Sequence, residues 1–182
     1  MLDWWQKNMK QYITIEKYFD CLICKQPQYK KQLNETIKHN ATILCLKINQ
    51  LFNEIDPKIT IPNIISINSG WRPLEYNAMI GGARSSYHCK AMAIDIQDKD
   101  NVISNFLVNN QSYLERLNIR MEHPQNTKDW CHLDIGKVIN NRVFYSNLKH
   151  KPIKNLTAQK KNDNKYSEFK DFFDDLIEFF IK

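Results

Sequence analysis

Apolar side chains recur at helical spacing in the first third of the chain. Leu33, Ile37, Ile43, Leu44, Leu46, Ile48, Leu51 and Phe52 predict one amphipathic helix over residues 32–55. Asp56-Pro57 closes it, because the residue before a proline is pushed out of the helical region. Residues 14–24 predict a shorter helix inside a mixed opening segment. The period then changes. Residues 59–68 alternate and are rich in isoleucine, which predicts a buried strand punctuated by Ser69-Gly70. A short helix over 73–80 carries Pro73 in its first turn and stops at Gly81-Gly82. A loop over 83–88 leads into an apolar strand at 91–96, and residues 102–117 predict a second amphipathic helix. Further strands are expected at 119–122 and 130–135, around a polar loop at 123–129, with a last one at 142–145. Helices first and a small, mostly antiparallel sheet afterwards make an α+β fold.

The pattern breaks again near the C-terminus. Residues 149–165 are basic, polar and without periodicity, and read as a linker after a domain over 1–148. Residues 166–182 read as a C-terminal amphipathic helix. Phe169, Phe172, Phe173, Leu176 and Phe180 form one stripe, with Ser167 as N-cap. Packing of this stripe on the domain, or on a copy of itself in an oligomer, is the simpler expectation. Docking to a membrane or partner is the other, and Asp171, Asp174, Asp175 and Glu178 argue against an anionic membrane surface.

Composition narrows the class. With 182 residues, 42% hydrophobic and 25% charged, the chain suffices for one globular domain with a real core and an appendage. The net charge of +6 leaves attraction to a polyanion such as a wall polymer open. No arginine-rich run or nucleic-acid motif accompanies it, so nucleic acid is not expected as a partner. Five cysteines are an odd number, and synthesis in a reducing compartment is the simpler reading. Cys21 and Cys24 form a single C-x-x-C with no second pair, and buried structural thiols are expected there. Residues 1–20 hold Asp3, Lys7, Lys10, Glu16 and Lys17 and no apolar core of a signal peptide, and no run reaches the length of a membrane span. Synthesis in the cytoplasm, with any action on a wall following release, is the expectation.

Chemistry concentrates between residues 69 and 95, SGWRPLEYNAMIGGARSSYHCKAMAID, where three of the four glycines fall. His88 and Asp95 are joined by a turn and a strand that can bring both to one point. His132 lies in another apolar strand, Trp-Cys-His-Leu-Asp, whose antiparallel pairing with the first would close a triangle. Two imidazoles and a carboxylate, with a position left for water, would make a catalytic zinc ligand set; a strand histidine that is a hydrogen-bonded core residue is the other reading of His132.

These residues resemble the zinc D-Ala-D-Ala peptidases. That family includes vancomycin-resistance D,D-dipeptidases and phage endolysins that cut the L-Ala-D-Glu bond, within a fold group shared with lysostaphin-type peptidases and the Hedgehog signalling domain. The family pattern is S-G-[YW]-R, an Asn and Gly-Gly, then S-x-H-x-x-G-x-A-x-D and, far downstream, W-x-H or W-x-H-x-D. This chain has Ser69-Gly70-Trp71-Arg72, Asn77, Gly81-Gly82, Ser86-Tyr87-His88, Ala93, Asp95 and Trp130-Cys131-His132-Leu133-Asp134. The resemblance covers about residues 12–146. It implies a zinc metallopeptidase acting on peptidoglycan peptides as a carboxypeptidase or endopeptidase, with a phage or prophage endolysin as the particular form expected and Zn2+ on His88, Asp95 and His132. A cytoplasmic D,D-dipeptidase and a non-catalytic zinc domain for wall binding or virion assembly are the alternatives.

The resemblance also implies that Arg72 binds substrate and stabilises the oxyanion, and that Ser86 holds the loop or touches substrate. Asn77 and the glycine pair read as structural. Ala91 replaces the glycine that the family has three residues after the first histidine. If that position needs positive φ, alanine strains it by roughly 1 kcal/mol or more. For the general base, Asp129 stands where dipeptidase-like relatives have glutamate, three residues before the last histidine, and Glu122 is the carboxylate further upstream. Both are candidates. His123 is a fallback base or a hydrogen-bond donor behind the ligands, and Asp134 is expected to orient a ligand imidazole or the strand.

Overall fold

The computed structural model describes residues 9–20, 25–62 and 65–146. The Cys21/Cys24 pair, the linker and the C-terminal helix expected at 166–182 lie outside the described residues. The fold is α+β, as its sequence pattern predicts. Short helices α1 (Ile15–Tyr18) and α2 (Pro27–Lys30) precede the long α3 (Glu35–Ile55). Strand β1 (Ile67–Ser69) and helix α4 (Leu74–Met79) lead to a 3₁₀ turn at Tyr87–Lys90 and strand β2 (Ala93–Gln97). Helices α5 (Val102–Asn109) and α6 (Ser112–Leu117) come before β3 (Arg120–Glu122), β4 (Trp130–Asp134) and β5 (Val143–Phe144). The five strands form one sheet in the order β1-β2-β4-β3-β5, antiparallel except for the parallel β3–β5 pair.

Helix α3 begins where Asn34 accepts the Ile37 N–H through its side chain at 3.0 Å, satisfying one of the orphan donors of the first turn. Its inner face buries Ala41, Leu44, Cys45, Ile48, Leu51, Phe52 and Ile55. On that face Asn49 is buried and fully used: Oδ1 accepts the N–H groups of Tyr12 and Ile13 at 2.9 Å each, and Nδ2 donates to Ile13 O at 2.8 Å. The amide thus ties the opening segment to the helix without leaving a polar group unpaired. Tyr18 carries that tie to the sheet by donating its hydroxyl to Ala93 O at 3.0 Å.

Three elements differ from the sequence pattern. The helix expected over 14–24 ends at Tyr18, where Phe19 leaves helical geometry with φ −92° and ψ 1°. The strand expected over 59–68 pairs only from Ile67 onward. Antiparallel register sets Ile67 against Ile96, and Gln97 donates to Ser66 O at 2.8 Å, but Asp98 then turns away to donate to Asp129 O. Among the described residues before Ser66, none therefore joins the ladder. The alternation of isoleucines reflects burial, since Ile61 and Ile65 are core residues. The helix expected over 102–117 is two helices. Asn110 leaves helical geometry with φ −133° and ψ 53°, and its side chain donates to Phe106 O at 2.9 Å. Asparagine competes for backbone partners in this way and favours breaks over helix interiors.

Candidate metal centre

Register builds the site. Ser69 lies against Asp95, Asp95 against His132, and the β3–β4 pairing, continued one residue past Met121↔Leu133, sets Glu122 across from His132. Glu122 in turn lies beside Phe144. Directly opposed residues share a face, so one row across the sheet carries a carboxylate, an imidazole and a second carboxylate.

His88 joins this row from the 3₁₀ turn. Ser86 caps the turn, accepting the His88 N–H at 3.3 Å. The His88 carbonyl accepts the N–H groups of Arg72 and Ala91, at 3.1 Å each. Ala91 ends the turn in the left-handed region, φ 53° and ψ 33°, which reverses the chain into β2. The positive φ that would explain a glycine in relatives is therefore real, and alanine occupies it at a cost of about 1–2 kcal/mol. Gly70 is required on other grounds, because a Cβ there would lie 2.3 Å from Tyr18 O.

Three possible ligand atoms converge. His88 Nε2 is 3.2 Å from Asp95 Oδ1 and 3.3 Å from His132 Nδ1, and His132 Nδ1 is 2.7 Å from Asp95 Oδ1. The other ring nitrogens face outward. His88 Nδ1 donates to Gly70 O at 2.7 Å, which fixes its tautomer, and His132 Nε2 faces Asp134 Oδ2 at 3.4 Å. Burial lowers the His88 pKa; the Asp95 carboxylate opposes this, and the Arg72 and His132 charges add to it. Burial also disfavours a charged His132, yet Asp134 and Asp95 outweigh it and push its pKa up to about 10. Burial favours a neutral Asp95, but the two imidazoles reverse this and hold it well below the usual carboxylate range.

The donor set fits a divalent cation. Four tetrahedral ligands at about 2.0–2.1 Å from an ion lie about 3.3 Å apart, and two sides of the triangle are that length. With both outward nitrogens already committed, a cation satisfies all three inward atoms together. His88, Asp95 and His132 are accordingly a group that could hold a metal ion, the one such group among the described residues.

The remaining candidates fall in different places. Glu122 is buried and accepts from Ser146 Oγ and from Asn126 Nδ2 at 3.3 Å. Asp129 is exposed, has φ 64°, and accepts the Asp100 N–H at 3.2 Å, so its carboxylate serves the turn after β2. The charge of Arg72 is felt at His88, and its Nε is buried without a hydrogen bond among the described residues. His123 stacks on Tyr145 at 4.4 Å and accepts the Gln125 N–H, which ties it to the following turn. Asn77 donates to Ala83 O at 2.9 Å and packs where a Cβ on Gly82 would sit, 2.2 Å from its Oδ1.

An α+β fold in which a turn and two strands bring two histidines and an aspartate together makes a candidate metal centre. The family model for Peptidase M15 matches residues 18–134, and the chain belongs to that family of metal-dependent peptidases. Among curated proteins no match to the chain was found.

Proposed function

We propose that the protein is a zinc metallopeptidase that hydrolyses peptide bonds in the stem or cross-bridge peptides of peptidoglycan. The observation that carries this reading is the convergence of His88 Nε2, Asp95 Oδ1 and His132 Nδ1, with both outward ring nitrogens already engaged. These three atoms would hold the ion, which when bound supplies Lewis acidity toward a peptide carbonyl and a lowered pKa for a water. Glu122 is the base in this reading. It takes the proton of the attacking water and delivers it to the leaving amine. Its place in the row beside His132 supports it over Asp129, which serves a turn. Arg72 directs its guanidinium at the oxyanion that forms as the carbonyl is attacked. Ser86 holds the turn of His88 and borders the substrate.

The finer reading is a phage or prophage endolysin, made in the cytoplasm and acting on the wall after release. It rests on the resemblance of the S-G-W-R and S-x-H motifs to such enzymes. The test incubates the zinc-loaded protein with purified sacculi and, separately, with D-Ala-D-Ala, and identifies new amino termini. Termini released from sacculi are expected. Cleavage of the dipeptide alone would make the protein a D,D-dipeptidase. Binding to sacculi without release would make it a non-catalytic wall-binding domain.

A further inference from the structure

Arg120 opens β3 directly across from Asp134 at the end of β4. Its side chain is 12% exposed and that of Asp134 is 0% exposed. Nε donates to Asp134 Oδ1 at 2.8 Å and Nη2 to Oδ2 at 2.9 Å, a fork meeting a fork, while Nη1 donates to Lys137 O at 3.1 Å. The guanidinium also lies between two rings, 5.0 Å from the centroid of Tyr87 and 4.7 Å from that of Phe144. Asp134 Oδ1 accepts the Gly136 N–H as well, at 2.7 Å, so both carboxylate oxygens are fixed in direction. Gly136 lets the Tyr87 ring close on this cluster, since a Cβ there would stand 2.2 Å from Tyr87 Cζ.

Each of these contacts reaches the metal centre by a different path. Asp134 faces His132 Nε2 on β4, Tyr87 immediately precedes His88 on the 3₁₀ turn, and the Phe144 ring meets the His132 ring edge-on at 6.1 Å. One side chain therefore touches the supports of both imidazoles. Lysine would keep the charge but lose the planar fork and the stacking.

We propose that Arg120 is a positioning residue for the metal centre: through Asp134 it fixes His132 with Nε2–H outward and Nδ1 inward, and through Tyr87 it steadies the turn that bears His88. The inference rests on the metal-binding reading above. Partners of this kind typically change metal affinity about ten- to a hundredfold when lost.

The test titrates zinc into metal-free wild type, R120K and H132A against a chromophoric chelator. It also records the melting temperature of each metal-free protein and the long-range ¹H–¹⁵N spectrum of the zinc-loaded imidazoles. The double variant R120Q/D134N leaves no charge buried alone and takes the place of R120K should that protein not fold. Wild type is expected to bind one zinc and H132A none. R120K is expected to melt cooperatively, to bind zinc about ten- to a hundredfold more weakly, and to show His132 in mixed tautomers. Wild-type zinc affinity and a single His132 tautomer in R120K would overturn the role of Arg120 and leave the metal site standing. A lowered melting temperature with both of those unchanged would do the same, by making Arg120 structural only. Equal zinc binding by wild type and H132A would remove the metal site itself, and this inference with it.

Discussion

His88 sits on a single 3₁₀ turn and gives its Nδ1 proton to a neutral backbone carbonyl, whereas His132 sits inside a five-residue strand and turns Nε2 toward a buried carboxylate. The neutral anchor leaves burial in command, and the His88 pKa falls. The charged anchor overcomes burial, and the His132 pKa rises to about 10. The difference shows two ways of aiming an imidazole nitrogen at one point. The turn does it by backbone shape, at the cost of a left-handed alanine. The strand does it by register and charge, with no backbone strain.

The largest effect should come from removing a ligand on either side. H88A, D95A and H132A are each expected to carry essentially no zinc after dialysis, by atomic absorption, against one per chain in wild type. Full occupancy in any of them would take that residue out of the ligand set and break the symmetry of the comparison.

Next comes the strand side alone. E122Q is expected to keep zinc and lose turnover by about 10²–10⁴-fold, the usual contribution of a general base, while D129N stays near wild type. Activity in both would show that the row across the sheet supplies ligands and no base.

The turn side is probed through its backbone. G70A places a methyl against Tyr18 O and should displace the carbonyl that anchors His88. Overpacking of this kind costs about 1–3 kcal/mol, readable as a lower urea midpoint, and zinc affinity should fall with it. An unchanged midpoint would mean that the Gly70 carbonyl moves freely.

The smallest effect belongs to A91G. Relief of the left-handed strain is worth about 1–2 kcal/mol, and loss of a buried methyl about 0.8 kcal/mol. A net gain below about 1 kcal/mol is expected in chemical denaturation. A loss of that size would make methyl packing the dominant effect at this position.

The same contrast explains what was legible in the sequence. The candidate metal group was, because His88, Asp95 and His132, which the fold brings together, stand in an ordered motif with Ser69-Gly70-Trp71-Arg72. Helix α3 was as well, from its period and its Asp56-Pro57 end. The strand side was less so. Asp129 and Glu122 could not be separated by spacing, because the choice depends on the β3–β4 register and on the positive φ of Asp129. Arg120 carries no motif, since an arginine at a strand start looks like surface. Only the pairing of the first residue of β3 with the last of β4 brings it to Asp134, and that pairing of opposite charges was the one signal available. The isoleucines at 59–65 misled in the other direction. At Ile61 and Ile65 the pattern recorded burial, and among the described residues the pairing with β2 begins only at Ile67.

The most direct test is a crystal of the zinc-loaded protein, measured on both sides of the zinc absorption edge. One anomalous peak is expected about 2.0–2.2 Å from His88 Nε2, an Asp95 oxygen and His132 Nδ1. A peak elsewhere, or a zinc held by His132 through Nε2, would contradict the account.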